Sequence, residues 1–424
     1  MVNRKISKLL GRIFGIVGFM LIIGVLEVPA LANDNLNTNS AYCENTSLYK
    51  DKDYLININK SVEQNGFKVT LDKAIATKHK LKVMVKVESE KPFDENKYDN
   101  LMDSIVKVTF GNNNNRVNKH YDYINDKILL ITIEEENNKE EYPEKGDIRV
   151  AVELPAYKVN VGIGDYVDFS ESFKNTIEKD IFTPVPQFDF TLNKLEYTAM
   201  GTRIFYSGPY RDFFYKENNP GYLMNSFIIL KVGDRMYKTK YDGCYYSDDA
   251  EKNKLRMGSY SAKTATYERV KDKKDISVIP VICDMSSDEI NQIIKGNLKN
   301  RYYEKRKASK QTINNISYLK SFEFSDGSKG EIYNIERNDN TIKVYCRGSS
   351  EKESLLMANN MVINYNLGEN ELEQDSFYKD SNDNFGYVVE FNNIEKDKIL
   401  DLNFVNNINL VDRYKIVDEV EISK

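Results

Sequence analysis

The stretch Phe67-Lys-Val-Thr-Leu-Asp-Lys-Ala-Ile-Ala-Thr77 returns 121 residues later as Phe188-Asp-Phe-Thr-Leu-Asn-Lys-Leu-Glu-Tyr-Thr198, with five of eleven positions identical. Two more, Val69/Phe190 and Asp72/Asn193, are conservative. The separation matches one small domain, so the chain reads as a string of related modules. Beside the first copy, Leu81-Lys-Val-Met-Val-Lys-Val-Glu88 alternates apolar and polar residues except at Met84. That period of two belongs to a strand with one buried and one wet face.

Further strands are expected at Ile105–Phe110, Val117–Tyr123, Ile128–Ile133 and Ile148–Leu154, with Gly111–Asn115 and Asn125-Asp126 as turns. Lys60–Gly66 reads as a connection and Thr183-Pro-Val-Pro186 as a hinge. In the second copy the strands include Phe188–Leu192, Arg203–Tyr206, Phe227–Val232 and Ile276–Ile282. A third, divergent copy is expected where Ile332–Arg337 and Thr341–Cys346 can be laid on the same phrase. Short strands separated by turn residues at these intervals predict an all-β chain of tandem immunoglobulin-like sandwiches. The helical signals are few. Ser286-Ser-Asp-Glu289 is a capping box leading into Ile290, Ile293, Ile294 and Leu298 on one face, and Asp94–Met102 is a weaker hint.

Export is written at the N-terminus. Arg4, Lys5, Lys8 and Arg12 precede an uncharged run from Ile13 to Leu26, and Ala30-Leu31-Ala32 offers small residues at the two positions a signal peptidase reads. The segment is either a cleaved signal peptide or a retained membrane anchor. In both cases everything after residue 32 lies outside the cytoplasm, secreted or tethered to the outer face of the membrane, which it touches only through this helix.

The organisation expected is therefore a signal or anchor at 1–32, a polar tether at 33–50 and a first domain at 51–185. A second domain follows at 186–285, a helical connector at 286–307 and a third sandwich at 308–424.

The chain carries net charge −5, and its first 32 residues hold four basic residues and one acidic, which leaves −8 on the remainder. An acidic chain with interspersed signs offers no basic face to neutralise phosphates, which excludes nucleic acid as a partner. Hydrophobic content of 41%, with 29 Tyr and 20 Phe, is enough for several cores. Of the four cysteines, Cys244 and Cys283 fall within one repeat and are the candidates for a disulfide; buried thiols are the alternative.

No catalytic constellation stands out. The two histidines, His79 and His120, show no metal-ligand spacing, and His79 in Thr77-Lys-His-Lys80 reads as an exposed turn. Neither a metal nor another cofactor is expected. Ser-x-x-Lys occurs five times, at Ser47, Ser104, Ser317, Ser349 and Ser376, without the partner motifs that an acylating enzyme needs. Asp380-Ser-Asn-Asp-Asn-Phe-Gly386 begins like a calcium loop, but Phe391 stands where a bidentate Glu belongs, so it reads as a polar turn. The binding candidate is the aromatic loop with Tyr210, Arg211, Phe213, Phe214 and Tyr215, whose rings beside an arginine suit glycan stacking or a protein hot spot.

The segment Ile58-Asn-Lys-Ser-Val-x-x-x-Gly66-x-Lys-Val-Thr-Leu71, running on to Leu81-x-Val-x-Val-x-Val-x-Ser89, resembles the bacterial ectodomain family catalogued as domain of unknown function 4179. Residues 186–285, with Ile276-Ser-Val-Ile-Pro280, are similar to the immunoglobulin-like module that often follows it. The resemblance implies surface proteins of Gram-positive bacteria, many with a cytoplasmic segment linked to a sigma factor. This sequence departs there, with twelve residues before its apolar run. The resemblance brings no catalytic residues. The function expected is non-catalytic binding of an extracellular protein or a cell-wall glycan, with a sensor-type ectodomain as one form of it. The alternatives are an envelope hydrolase whose carboxylates cannot be singled out among 65 acidic residues, and a structural stalk.

Overall fold

The computed structural model describes residues 54–93, 105–111, 116–137, 140–209, 226–245, 255–283, 310–324, 326–365, 370–394, 396, 398–404 and 411–422. The signal segment with Ala30 and Ala32, the tether, the Asp94–Met102 hint and the 286–307 connector lie outside the described residues. Within them the chain is mostly strand, in sheets that are antiparallel except for one pair, and its helices are short.

The first module holds β1 (Ile56–Gln64), β2 (Phe67–Ala76), β3 (Lys80–Ser89), β4 (Ile105–Thr109), β5 (Arg116–Asn125), β6 (Ile128–Glu136), β7 (Lys145–Leu154) and β8 (Val159–Asp168). One sheet runs β1-β2-β3-β6-β5 and another β4-β7-β8. Val69, Leu71, Val83, Val85 and Ile131 from the first meet Val106, Val150, Val152 and Val161 from the second in a single core. Strand β7 shows how: Ile148, Val150, Val152 and Leu154 are buried at every second position. The expected connection at Lys60–Gly66 is instead the end of β1 and a two-residue turn. Asn65 and Gly66 take φ of 54° and 77°, the left-handed backbone that Asn and Gly tolerate and a tight hairpin requires.

The helix α1 (Ser170–Lys174) leads into the second module. Its elements are β9 (Ile177–Val185), β10 (Phe190–Thr198), β11 (Gly201–Pro209), β12 (Phe227–Val232), β13 (Arg235–Lys238), β14 (Lys240–Tyr245), β15 (Leu255–Ala262), α2 (Tyr267–Val270) and β16 (Ile276–Cys283). Thr183-Pro-Val185 is no hinge, because Thr183, Pro184 and Val185 pair with Leu192, Thr191 and Phe190 at the edge of the sheet. Proline is tolerated on an edge strand.

The remaining elements are β17 (Lys310–Ile313), β18 (Ile316–Leu319), β19 (Ser321–Glu323), β20 (Lys329–Asn338), β21 (Thr341–Gly348), α3 (Glu351–Asn360), β22 (Met361–Tyr365), β23 (Asn370–Glu373), β24 (Ser376–Lys379), β25 (Tyr387–Asn392), β26 (Leu400–Phe404), β27 (Tyr414–Ile416) and β28 (Val420–Glu421). Helix α3 is a correction to the expectation of a single connector helix. Ser350 is its N-cap in a Ser-Glu-Lys-Glu353 sequence of the capping-box type, though the Ser350 hydroxyl bonds the Glu353 carboxylate and no backbone amide of the helix. The same residues overlap one of the chance Ser-x-x-Lys matches, Ser349–Lys352.

The repeated phrase is one structural element used three times. The sheets run β1-β2-β3-β6-β5, β9-β10-β11-β15-β14 and β19-β20-β21-β25-β24, the same order in chain terms. The second strand of each is bulged at one place. Pairing with the following strand slips between Leu71 and Lys73, between Leu192 and Lys194, and between Ile332 and Asn334. Asp72, Asn193 and Tyr333 are thus the extra residues that bend and twist each sheet. Opposite the first two bulges, Asn59 and Phe182 sit at φ of 55° and 48°. The asparagine suits that backbone; Phe182 adopts it while 68% exposed.

The segments expected as separate second and third domains share one ten-stranded sheet, β19-β20-β21-β25-β24-β13-β12-β16-β27 with β28 also paired to β16, joined where Met236 pairs with Phe377. Strands β12 and β16 are buried on both faces. Ile228, Leu230 and Val278 face the core of the second module, whereas Ile229, Val281 and Cys283 face that of the third. Their continuous apolar runs, Phe227-Ile-Ile-Leu230 and Val278-Ile-Pro-Val-Ile-Cys283, follow from this double burial. In the first module β7 is flanked by β8; the matching flank of β16 is filled by β27 and β28 from the chain's far end. Ile422, 1% exposed, enters the core of the second module.

Ile422→Ala is expected to cost about 2–4 kcal/mol, the range for a buried aliphatic truncation. Removing residues 411–424 should cost more, because it also uncovers the β16 edge. Thermal unfolding checks both, and an unchanged midpoint would refute the clasp.

Candidate functional site

The aromatic loop Tyr210, Arg211, Phe213, Phe214 and Tyr215 lies outside the described residues, between β11 and β12. The expected Cys244–Cys283 bridge is not formed. Cys283 is a buried thiol at the end of β16, and Cys244 is carried by β14 of a different sheet. The Asp380–Gly386 segment is the polar turn expected of it. Asp380 accepts from Tyr333 Oη at 2.6 Å, Asp383 accepts from Arg347 at 2.7 Å, and the Asp380 amide bonds Gly386 O.

Two sites emerge that no linear motif announced. The first is a cleft of about 650 Å³ where the second and third modules share their sheet. Met236, Ile279, Leu355, Tyr387 and Ile416 line its apolar part, and Lys231, Asp234, Lys352, Lys379, Glu351 and Glu419 its charged wall. The volume lies in the range of small-ligand sites. Helix α3, the β12–β13 hairpin, β24 and the C-terminal strands position these residues, so the cleft exists only when all four pack.

The charges of the cleft are mostly matched. Lys231 Nζ lies 2.7 Å from Glu419, Lys379 binds Glu351, and Arg235, behind Tyr378, lies 2.5 Å from Glu390. Burial pushes the Glu419 carboxyl up, but hydrogen bonds from Lys231 and Ser277 outweigh it and hold the group below its usual range. Glu390 is held low in the same way by Arg235 and Tyr378. The Tyr378 phenol is pushed up to about 12 by burial and by the Glu390 charge. Every carboxyl among the described residues with a displaced pKa is displaced downward. Asp234 and Lys352 make no ion pair among the described residues, and they are the cleft's charges available to a ligand.

The second site is the junction of the first two modules. Tyr54, Ile75, Ala199 and Met200 form its apolar centre, and Tyr54 Oη donates to Glu268 at 3.0 Å. Beside them Glu134 on β6 receives Lys82 at 3.3 Å and Lys263 at 3.1 Å. Desolvation alone would raise the Glu134 carboxyl, but the two ammonium groups lower it to about 2.

His79 belongs to this junction, which corrects the expected exposed turn. It sits at the tip of the β2–β3 hairpin, where Thr77 N bonds Lys80 O at 2.8 Å, and its side chain is only 16% exposed. Its Nδ1 is 3.0 Å from Asn137 O, and its Nε2 is 3.8 Å from Glu196 Oε2 on β10. Glu196 is fully buried, and neither of its oxygens has a hydrogen-bond partner among the described residues. Glu178 on β9 completes the group, held by Lys78 at 3.1 Å and Lys194 at 2.6 Å. Burial raises the Glu178 carboxyl, and the two lysines more than reverse that. His79 lies about a hundred residues before Glu178 and Glu196, so no local spacing could have revealed the group.

No protein-family model and no curated protein matches the chain. Among solved structures, the chain is similar to the crystal structure of the conserved domain protein from Bacillus anthracis, with 14% identity and a TM-score of 0.36. The similarity covers 56% of this chain and 81% of that one, and at this level nothing is argued from it.

Glu134→Gln should weaken the junction by about 2 kcal/mol, since it leaves two lysines facing a neutral amide. The ionised carboxylate is favoured by folding, so its contribution is full above pH 4.5 and fades as pH falls towards 2. Unfolding midpoints between pH 7 and pH 2 should therefore converge for wild type and variant. A constant gap across that range would refute the ion cluster.

Proposed function

We propose that this is an exported protein of the bacterial cell surface, secreted or tethered by its N-terminal helix, that binds an extracellular or cell-envelope partner without catalysis. Its modules are immunoglobulin-like sandwiches, as the resemblance to the family of domain of unknown function 4179 implies. The observation that carries the reading is the cleft at the shared sheet, an apolar floor with a charged wall whose carboxylates are mostly tied to cations. A glycosidase acid must hold its proton near neutral pH, which takes a raised pKa. The Glu419 and Glu390 carboxyls are shifted the opposite way. Binding therefore fits the cleft better than hydrolysis. The aromatic loop at Tyr210–Tyr215 offers a second contact surface for the same partner.

The test uses fluorescently labelled protein on intact Gram-positive cells, on protoplasts and on purified walls, which separates a membrane-borne protein partner from a wall glycan. Saturable binding to one of these is expected. The pair Asp234→Lys with Lys352→Glu should reduce it several-fold, and Tyr210, Phe213 and Phe214 changed to Ala should weaken it with thermal unfolding unaltered. A collapse in stability of the triple variant would make those rings core residues. Absence of saturable binding to all three surfaces would overturn the reading.

A further inference from the structure

We propose that His79, Glu178 and Glu196 form a binding site for a divalent transition-metal ion of the zinc class at the junction of the first two modules. One ligand atom from each residue lies within 4.8 Å of the others. The argument rests on what those atoms lack. Asn137 O is a carbonyl and can only accept, so its 3.0 Å contact places the imidazole proton on Nδ1. In the neutral ring Nε2 is then a bare lone pair, and it faces Glu196 Oε2 at 3.8 Å. Two acceptors face each other across a gap too long for a hydrogen bond.

Glu196 sharpens the point. A carboxylate removed from water with neither oxygen hydrogen-bonded is costly unless a cation supplies what water did. An electrophile shared by Nε2 and the carboxylate removes both defects. It is either a proton, giving an imidazolium pair, or a metal ion. The metal is favoured by the arrangement of the histidine, because a ligating imidazole typically gives its other N–H to a backbone carbonyl, which fixes ring and tautomer.

The surrounding charges set limits on the site. Lys78 and Lys194 both hold Glu178, Glu141 lies 3.4 Å from Lys78, and Arg203 stands opposite Glu196 in the strand register. Each oxygen of Glu178 keeps a second lone pair, so it can bind a cation without giving up its lysine. The nearby ammonium groups weaken the field, so modest affinity is expected. One imidazole and two carboxylates form the borderline N/O set that zinc accepts as three protein ligands with a fourth position open. A tetrahedral ion with bonds of about 2.0–2.1 Å draws its ligands to roughly 3.4 Å apart. Binding therefore requires the ligand atoms, now spread over as much as 4.8 Å, to draw together.

An ion here would link the β2–β3 hairpin of one module to β9 and β10 of the next, and so would stabilise the junction by mass action. The full chain, stripped with a chelator, is titrated with zinc chloride by calorimetry and then with cobalt chloride for its absorption spectrum. One ion per chain is expected, with a rise in the unfolding midpoint. His79→Ala and Glu178→Gln, both at the rim of the site, should each weaken uptake about tenfold or more and lose the midpoint rise. Glu196→Gln should do the same if it folds, and the other two variants decide if it does not. Failure of the wild type to take up a single saturable equivalent would overturn the proposal, leaving an imidazolium–carboxylate pair. Uptake undiminished in His79→Ala and Glu178→Gln would overturn it equally.

Discussion

The arrangement of the second and third modules depends on the burial of β12 and β16 on both faces. A strand that is apolar on one side only can close a sandwich and end it there. These two carry apolar residues on both sides, Ile228 and Leu230 towards one core and Ile229 towards the other. A sheet of that kind needs a layer above and a layer below. The second module supplies one and the third supplies the other, so neither is complete alone. The two therefore share a wall, and the cleft lies where that wall meets α3 and the C-terminal strands.

The C-terminal clasp follows from the same geometry. In the first module the chain runs on from β7 to β8 and covers its own strand edge. In the second, β16 leaves towards the third module, and its free edge would expose a row of unpaired backbone groups. Strands β27 and β28 return to fill that place, and Ile422 anchors them. Chain topology thus assigns one structural role to local residues in one copy and to residues about 140 positions away in another.

The first junction has a different character. It carries a small apolar centre, and most of its specificity comes from charge: Glu134 between two lysines, Glu178 between two more, and His79 against Glu196. Ion pairs screened from water are sensitive to geometry, because desolvation offsets much of their attraction unless partners are well placed. Such a junction fixes one orientation of the modules while adding little net stability. Glu196 is the exception in this set, since its hydrogen-bonding capacity is left unmet.

The strands themselves were legible in the amino-acid order. Alternation marked β3, turn-separated apolar segments marked β7, and the recurrence of Val-Thr-Leu-Asp-Lys as Phe-Thr-Leu-Asn-Lys marked the strand that proved to be bulged at Asp72 and Asn193. Local signals also existed for the Asn65-Gly66 turn and the Ser350–Glu353 cap, because turns and caps are set by neighbours within a few residues. What composition and spacing left open was every relation between distant segments. The shared sheet, the clasp at Ile422, the cleft and the meeting of His79 with Glu178 and Glu196 all join residues from separate parts of the chain. Short-range patterns encode which face of a strand seeks burial, and they carry no record of which surface will cover it. That choice is made by packing, when apolar faces and opposite charges find partners in three dimensions.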